Sequence, residues 1–479
     1  MSLRGIRRSA AARLVSLLVT AAITFSCIIF CIVDPHATAA DQPASGKSVQ
    51  STEFLNWAPT PPMGWNSWDC FGAAVNEQQF RANADFMAEK LLTHGWQYVV
   101  VDIQWYEPNS RGWNYRPNAE LAMDEYGRLQ PAPNRFPSSA DGKGFKPLAD
   151  YVHSKGLKFG LHMMRGIPRQ AVARNTSILG TNYHAADIHT KAVPCSWNGD
   201  MWTVDTTKPG AQEYYDSLYA QYAQWGVDFV KIDDLSRPYH KGEIEAIRNA
   251  IDKCGRPMVF STSPGATPLS EGEHVSTHAN MWRVSDDFWD QWRPLEEQFE
   301  RLTLWSRYSG PGHYPDADML PLGAIRVGQR DGGHTRFNRD EQYTLMTLWS
   351  ICRSPLIFGG NLPDTDDFTL SLITNDEVLA VDQHSANGRQ LFRREQLIAW
   401  AADVPNSNDK YLALFNARDP DPDSSKEGVP VTVQLQDLGF KGAVRVRDLW
   451  RHANLEKVQG SFAPVVSFHG AGLYRLQVP

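Results

Sequence analysis

The sequence predicts a (β/α)8 barrel followed by a C-terminal antiparallel β-sandwich. Two observations lead to this fold class. Between residues 54 and 386, apolar strand-like runs alternate with helical patterns, which is typical of βα units around a parallel sheet. Between residues 387 and 479, the runs are short and alternating, with turn residues and no helical pattern between them. A chain of 479 residues is long enough for both domains.

The predicted barrel strands are short apolar runs that end in polar or turn residues. A helix is predicted over residues 76–94, because Asn76 is a suitable N-cap and the apolar residues that follow recur at helical spacing. The predicted strands cover residues 63–68, 98–105, 158–164, 228–233, 257–263, 279–285, 308–318 and 355–359.

The sequence pattern of residues 1–40 predicts a targeting segment that is not part of either folded domain. Arginines in the first 13 residues precede an apolar run over 14–33, and the small residues Ala37, Thr38 and Ala39 follow it. This order is typical of a signal peptide, so we expect export to the periplasm or the extracellular space. The apolar run is long for a signal peptide, and an uncleaved membrane anchor is therefore the alternative. Residues 41–53 are polar and predict a linker.

Composition excludes several classes of function. A formal net charge of −7 gives no basic surface for nucleic acid. The cysteines outside the targeting segment are too few for a disulfide framework, and their spacing fits no CxxC zinc site. No Gly-rich phosphate loop occurs, and we expect neither a cofactor nor a metal. Sixteen tryptophans provide faces on which sugar rings stack, with core packing as the alternative for each one.

Charged residues stand at the carboxyl ends of several predicted barrel strands, where barrel active sites form. Paired carboxylates without a metal motif favour glycoside hydrolysis, in which one is the nucleophile and the other the acid and base. A metal-dependent hydrolase is the rival interpretation, but histidines at ligand spacing on successive strands are missing. A salt bridge at the barrel rim is the structural alternative for any single carboxylate. The charged residues are Asp102, Lys231, Asp233, Arg283, Asp286, Asp287, Asp316 and Asp318.

Four segments together resemble the signature segments of family 27 glycoside hydrolases, the melibiase-type α-galactosidases. They are PPMGWNSWDCFG at 61–72, FVKIDD at 229–234, WRVSDD at 282–287 and GPGHYPDADML at 310–320. The resemblance implies a (β/α)8 barrel with an antiparallel β domain. It also implies an enzyme that hydrolyses terminal α-galactosides with retention of configuration and without a metal or cofactor.

The resemblance also implies roles for individual residues. Lys-x-Asp at strand four makes Asp233 the nucleophile, and Arg-x-x-x-Asp at strand six makes Asp287 the general acid and base. The four-residue spacing from Arg283 favours Asp287 over its neighbour Asp286. The implied substrate-binding residues are Lys231 and Arg283 as hydroxyl donors, Trp68 as the stacking platform, Asp102 as a hydroxyl ligand and Asp318 at the rim.

Three positions depart from the α-galactosidase pattern. Ile103 stands where the family has a second aspartate, Ser263 lies in a small segment that replaces a Glu-Trp pair, and His162 replaces a tyrosine. His162 either binds a sugar hydroxyl or fills space. These changes leave α-N-acetylgalactosaminides, β-L-arabinopyranosides and isomaltosyl chains as alternative substrates. A non-catalytic carbohydrate-binding protein is the alternative from another class, but retention of both carboxylates with Lys231 and Arg283 disfavours it.

Overall fold

The computed structural model describes residues 52–420 and 427–478. The predicted signal peptide or anchor over 1–40, and nearly all of the predicted linker over 41–53, lie outside the described residues. Within the described ranges, no helix has both the length and the apolar character that a membrane crossing requires.

The first part of the described chain alternates strands and helices. Its strands are β1 Met63–Asn66, β2 Tyr98–Val101, β3 Lys158–Met164, β4 Ile167–Pro168, β5 His189–Thr190, β6 Met201–Val204, β7 Phe229–Asp233, β8 Val259–Thr262, β9 Met281–Arg283, β10 Tyr314–Asp316, β11 Ala324–Ile325, β12 Gly333–His334 and β13 Leu356–Phe358. Its helices are α1 Trp68–Phe71, α2 Glu77–Phe86, α3 Lys146–Ser154, α4 Arg169–Arg174, α5 Ala185–Ile188, α6 Ala211–Trp225, α7 Lys241–Lys253, α8 Gly272–Ser276, α9 Trp292–Trp305, α10 Arg339–Cys352, α11 Asp367–Ile373 and α12 Asp376–His384.

Eight of these strands form one parallel sheet in the order β10-β9-β8-β7-β3-β2-β1-β13. The two ends of the sheet meet where Leu320, just after β10, makes a parallel bridge to Phe358 in β13. The backbone N–H of Leu320 donates to the carbonyl of Ile357 at 2.8 Å. The predicted barrel class is therefore confirmed, and each predicted strand run contains one of the eight strands.

Several predicted strands are longer than the observed ones. The run over 63–68 ends at Asn66 because Ser67 is the N-cap of the short helix α1. The run over 308–318 begins as the end of a 3-10 helix, and only Tyr314–Asp316 pair as a strand. The predicted helix over 76–94 is present. Asn76 caps it in a capping box with Gln79, although its last two turns are π-helical and then 3-10 helical.

Alternate residues along the barrel strands divide between two environments, as the two-residue period of a strand requires. In β7, Val230 and Ile232 belong to the large apolar core that includes the surrounding helices. Phe229 instead joins a separate cluster with Tyr98, Val100 and other inward strand residues: Val259, Met281, Tyr314 and Ile357. Lys231 and Asp233 follow Phe229 on the same strand face, so the inward face changes from apolar to charged towards the carboxyl ends.

The C-terminal part is an antiparallel sheet with two additional strand pairs. Helix α10 and the core around it cover one face of the sheet, through residues such as Trp400 and Phe415. A second core, with Leu412 and Leu414, fills the other face. The strands are β14 Ala386–Arg394, β15 Leu397–Asp403, β16 Lys410–Asn416, β17 Gly428–Pro430, β18 Val433–Gln434, β19 Arg445–Asp448, β20 Ala453–Asn454, β21 Ser461–Phe462, β22 Val465–Ser467 and β23 Ala471–Gln477. The main sheet has the order β14-β15-β16-β23-β19-β20, and β17 pairs with β22 and β18 with β21.

Candidate active site

A cavity of about 570 Å³ opens at the carboxyl ends of the barrel strands. The structure brings every sequence-predicted site residue to its wall, although these residues come from seven different strands or the turns after them. They are Trp68, Asp102, His162, Lys231, Asp233, Ser263, Arg283, Asp287 and Asp318.

His162 connects two carboxylates at the base of the cavity. Its Nδ1 lies 2.6 Å from Oδ1 of Asp102, and its Nε2 lies 3.3 Å from Oδ2 of Asp233. Burial lowers the pKa of His162, but Asp102 and the contact with Asp233 outweigh it and raise the pKa overall. The histidine thus lies within ion-pair distance of two carboxylates and is favoured as the imidazolium.

The two carboxylates beside His162 have opposite pKa shifts. Burial raises the pKa of Asp233, and the opposing effects of His162 and Lys231 do not fully cancel it. Burial also acts to raise the pKa of Asp102, but His162 and Lys231 hold it below its usual range. Asp102 is further fixed by Asn66, whose Nδ2 donates to its Oδ2 at 2.9 Å. Lys231 Nζ lies 3.8 Å from the same oxygen.

On the opposite side, Arg283 holds the segment that carries Asp287. Nη2 of Arg283 lies 2.7 Å from Oδ2 of Asp318 and 3.4 Å from Oδ1 of Asp287. The same Asp318 oxygen accepts the backbone N–H of Phe288 at 2.7 Å. Asp318 is almost fully buried, whereas the Asp287 side chain is 60% exposed. Asp318 therefore positions both the guanidinium and the backbone beside Asp287.

The adjacent aspartates at each catalytic position have different partners. Asp286 pairs with Arg237 at 2.5 Å and Asp287 contacts Arg283, so only Asp287 has the arginine contact that the spacing predicted. Asp234 is held by Arg165, with Nη2 2.8 Å from its Oδ2. These contacts separate Asp233 and Asp287 geometrically from their neighbours, while their catalytic roles stay predictions.

Aromatic side chains surround the mouth of the cavity. Trp68 stacks on Tyr115 with ring centroids 6.0 Å apart and meets the edge of Trp113 at 5.5 Å. Trp197 packs beside Tyr115, and Trp289 packs beside Trp113. Besides Trp68, three of these aromatic residues line the cavity: Tyr115, Trp197 and Trp289. They lie on loops, whose positions cannot be predicted from a strand or helix pattern in the sequence. The high tryptophan content was the only sequence signal for the two tryptophans.

Asp69 is a further wall residue that sequence reasoning did not select. It directly follows Trp68 in the segment PPMGWNSWDCFG, so the motif itself contained the signal. Burial, followed by the charge of Asp318, raises its pKa well above the usual range.

The three departures from the α-galactosidase pattern occupy different environments. His162 lies between Asp102 and Asp233, as described above. Ser263 lines the cavity with Pro264 and Gly265, and among the described residues its Oγ is buried without a hydrogen-bond partner. Ile103 is fully buried in the apolar core and is not among the residues that line the cavity.

Family models match nearly the whole described chain. The model described as alpha galactosidase A matches residues 60–208 and 177–384. The model described as the alpha galactosidase C-terminal beta sandwich domain matches residues 395–476. The chain belongs to glycoside hydrolase family 27. The predicted family is thereby confirmed, and so is the C-terminal sandwich as a fold.

Individual family 27 proteins with different activities resemble the chain. An α-galactosidase from Cyamopsis tetragonoloba is 29% identical over 87% of this chain and 86% of its own length. A β-L-arabinopyranosidase of family 27 from Geobacillus stearothermophilus is 51% identical over 89% of this chain and 98% of that chain, with a TM-score of 0.86. A putative α-N-acetylgalactosaminidase from Bacillus halodurans is 47% identical over 88% of this chain and 97% of that chain, with a TM-score of 0.78.

Proposed function

We propose that this family 27 chain is a retaining exo-glycosidase whose preferred substrates are terminal β-L-arabinopyranosides. The observation that carries the catalytic part is the placement of Asp233 and Asp287 at the ends of separate strands around one cavity, which Lys231 and Arg283 also line. Two-carboxylate glycoside hydrolysis needs such a pair on either side of the scissile bond.

Asp233 is the nucleophile in this mechanism. Its carboxylate attacks the anomeric carbon, the bond to the leaving group breaks, and Asp287 gives its proton to the leaving oxygen. The product of this step is a glycosyl ester on Asp233. The charges of His162 and Lys231 favour the ionised form of Asp233 against the effect of burial, which a nucleophile requires.

Asp287 serves as the acid in the first step and as the base in the second. It removes a proton from a water molecule, which attacks the anomeric carbon and releases the sugar and the Asp233 carboxylate. In the first step Asp287 must reach the leaving group, and in the second it must reach a water molecule that enters from solvent. The 60% exposure of the Asp287 side chain at the cavity mouth suits that role better than the enclosed position of Asp233.

The preference for arabinopyranose rests on position 103 and on the comparisons. β-L-Arabinopyranose has the ring configuration of α-D-galactopyranose but lacks its hydroxymethyl group. Ile103 replaces a family carboxylate with an apolar side chain and removes a hydrogen-bond acceptor next to Asp102. A sugar with one hydroxyl fewer loses less binding free energy when this acceptor is missing. The 51% identity to an arabinopyranosidase, against 29% to an α-galactosidase, points in the same direction.

A second candidate substrate is a terminal α-N-acetylgalactosaminide. The cavity wall at Ser263, Pro264 and Gly265 has small side chains, and the Ser263 hydroxyl has no partner among the described residues. An acetamido group needs both space and a hydrogen-bond partner. The 47%-identical putative α-N-acetylgalactosaminidase adds support, and the α-galactoside predicted from the signature segments is the third candidate.

Hydrolysis of matched p-nitrophenyl glycosides tests these proposals. The panel contains the β-L-arabinopyranoside, α-galactoside, α-N-acetylgalactosaminide and α-glucoside, and Asp233→Ala serves as the inactive control. We expect the highest kcat/KM on the arabinopyranoside, with retention of configuration in the first product observed by NMR. A higher kcat/KM on another sugar would overturn the substrate assignment, and equal activity of Asp233→Ala would overturn the mechanism.

We also propose that the chain is exported, on the basis of the sequence of residues 1–40 alone. Expression of the full-length protein followed by N-terminal sequencing of the exported fraction tests this. A new terminus close to residue 40 is expected. Retention of Met1 on a membrane-bound product would favour the anchor instead.

A further inference from the structure

We propose a binding site for a divalent transition metal, with Zn²⁺ as the best-matched ion, formed by Glu245, His274 and His278. Glu245 lies on α7, and the two histidines are four residues apart at α8 and just after it. One ligand atom from each residue lies within 4.8 Å of the others. None of the three lines the sugar cavity, so this site is separate from the hydrolytic centre.

The spacing of the ligand atoms is close to that of a zinc site. Nε2 of His274 lies 3.3 Å from Oε1 of Glu245. Two ligands at about 2.0–2.1 Å from a tetrahedral Zn²⁺ are about 3.3 Å apart, so this edge already has the required length. The two imidazole rings lie 4.0 Å apart, and His278 offers a third ligand atom within 4.8 Å of those of Glu245 and His274. Two histidines and one glutamate leave a fourth position open.

Both histidine rings are oriented through their other nitrogen. Nδ1 of His278 lies 2.7 Å from the backbone carbonyl of His274, to which it donates when protonated. Nδ1 of His274 lies 2.6 Å from the hydroxyl of Tyr239. The carbonyl can only accept, so the proton of neutral His278 lies on Nδ1 and its Nε2 lone pair faces away. When a metal takes Nε2 of His274, Nδ1 of that ring carries the proton and donates to the Tyr239 hydroxyl.

The charge and the exposure of the site suit a cation. Glu245 supplies one negative charge against the ion, and its side chain is 45% exposed. The ion can therefore reach the ligands from solvent.

Calorimetric titration of metal-stripped, full-length protein with ZnCl₂ tests the site. We expect one Zn²⁺ per chain and a higher Tm with zinc, both lost in His278→Ala. Tyr239→Phe keeps all three ligands and should weaken binding by about 10- to 100-fold, because it removes only the orienting hydroxyl. His334→Ala, at an exposed histidine elsewhere on the barrel, is the control.

Two outcomes would overturn the metal site. One is the absence of zinc binding by the wild-type protein. The other is equal affinity in the wild type and His278→Ala. If His278→Ala does not fold, Glu245→Gln replaces it, because this half-exposed side chain can be changed without opening the core.

A second inference deepens the proposed function and depends on it: the geometry points to Asp69 as a further sugar-binding residue that donates a hydrogen bond to a sugar oxygen. Asp69 is 3% exposed, lines the cavity, and has an Oδ2 without a hydrogen-bond partner in the described part of the chain. A buried carboxyl oxygen without a partner is costly, and a ligand that enters the cavity can satisfy it.

The fold makes room for this carboxyl group. A Cβ atom at Gly359, just after β13, would lie 2.1 Å from Oδ2 of Asp69, so glycine is needed there. Asp318, Asp287 and Asp102 are the negative groups that act on Asp69, and Lys231 is the opposing positive group. With three carboxylates against one ammonium and no exposure, the neutral acid is favoured, and a neutral carboxyl is a donor.

Asp69→Asn and Asp69→Leu separate this role from simple packing. Asn keeps a donor of the same shape, whereas Leu keeps bulk without a donor. We expect Leu to raise KM on the best panel substrate by about tenfold. We also expect it to weaken binding of the free sugar in calorimetry, and we expect Asn to restore most of both. Asp331→Asn, at an exposed carboxyl outside the cavity, is the control.

The readouts distinguish the two proposals. A wild-type protein that hydrolyses no panel sugar defeats the proposed function, while sugar binding by calorimetry still tests Asp69. An active wild type with unchanged KM and sugar affinity in Asp69→Leu defeats the Asp69 inference alone.

Discussion

Substitution His162→Gln tests the connection between the sugar-binding and catalytic sides of the cavity. His162 contacts Asp102 at 2.6 Å and the proposed nucleophile Asp233 at 3.3 Å. Glutamine keeps a donor of similar length but removes the positive charge. The perturbation therefore affects the ionisation of Asp233 more than the shape of the cavity.

The expected magnitude follows from the contact with Asp233. A hydrogen bond to a charged group contributes about 1.5–3 kcal/mol, and part of it remains with the glutamine amide. A loss of about 1.4 kcal/mol corresponds to one pKa unit. Because His162 opposes the rise that burial causes in the pKa of Asp233, its removal should raise that pKa further. The acidic limb of the pH profile of kcat/KM should then move up by about one unit.

The assay is kcat/KM against pH on the best p-nitrophenyl substrate, with folding checked by circular dichroism. His153→Gln is the matched control, because His153, on α3, pairs at 2.8 Å with Asp228, which directly precedes β7, and neither residue lines the cavity. An acidic limb that is the same in wild type and His162→Gln would refute the reasoning. A shift of equal size in His153→Gln would show that the effect is not local.

The remaining predictions concern the acid and base, the substrate and stability. Asp287→Ala should lose most activity on a substrate with a poor leaving group and less on a p-nitrophenyl substrate, whose leaving group needs no proton, as kcat/KM, which reports the first step, measured on both substrates would show. Ile103→Asp should raise the ratio of α-galactoside to arabinopyranoside kcat/KM, and Ile103→Leu should leave it unchanged. Asp290→Ala should lower the free energy of unfolding by about 3–5 kcal/mol in urea titrations, because it leaves the paired Arg326 and Arg336 without their buried carboxylate. The same pairs lower the pKa of Asp290, so their stabilisation is present above the unfolded pKa of about 3.9 and is lost as the pH falls through the folded pKa. Wild-type stability should accordingly fall more steeply with acid than that of Asp290→Ala.

The barrel strands were predictable because their residues carry a local signal. In β7, the alternation of Phe229, Lys231 and Asp233 with Val230 and Ile232 shows both the strand and its charged end. Strand ends were less predictable. The predicted run continues to Trp68, but the strand ends at Asn66 and Ser67 begins α1. This change depends on contacts to other strands, such as the 3.0 Å hydrogen bond from Asp102 N–H to Ser67 Oγ.

Several site residues lie on loops, and the repeating sequence patterns of strands and helices cannot predict where a loop residue lies. Tyr115 and Trp197 come from long connections after β2 and β3, and only the tertiary packing of those connections puts them beside Trp68. The small antiparallel sheet of β4, β6 and β5 was not predicted either, because it also forms within a long connection between barrel strands. The signature segments located the charged groups of the cavity because these lie on or next to the strands, where sequence and position are most tightly connected.

The proposed change of substrate does not need a new contact between Ile103 and the sugar. Ile103 is fully buried in the apolar core, so its effect is that the cavity lacks the second carboxylate of the family pattern. Asp102 is then the wall carboxylate that directly follows strand β2. Its Oδ2 accepts a hydrogen bond from Asn66, and its Oδ1 lies 2.6 Å from Nδ1 of His162. Each oxygen keeps capacity for one more hydrogen bond, which suits the hydroxyls common to arabinose and galactose. Galactose also brings a hydroxymethyl group into the cavity. Because Ile103 provides no carboxylate, the hydroxyl of this group loses its water without gaining a hydrogen-bond acceptor there. The smaller pentose does not have this cost and is therefore preferred.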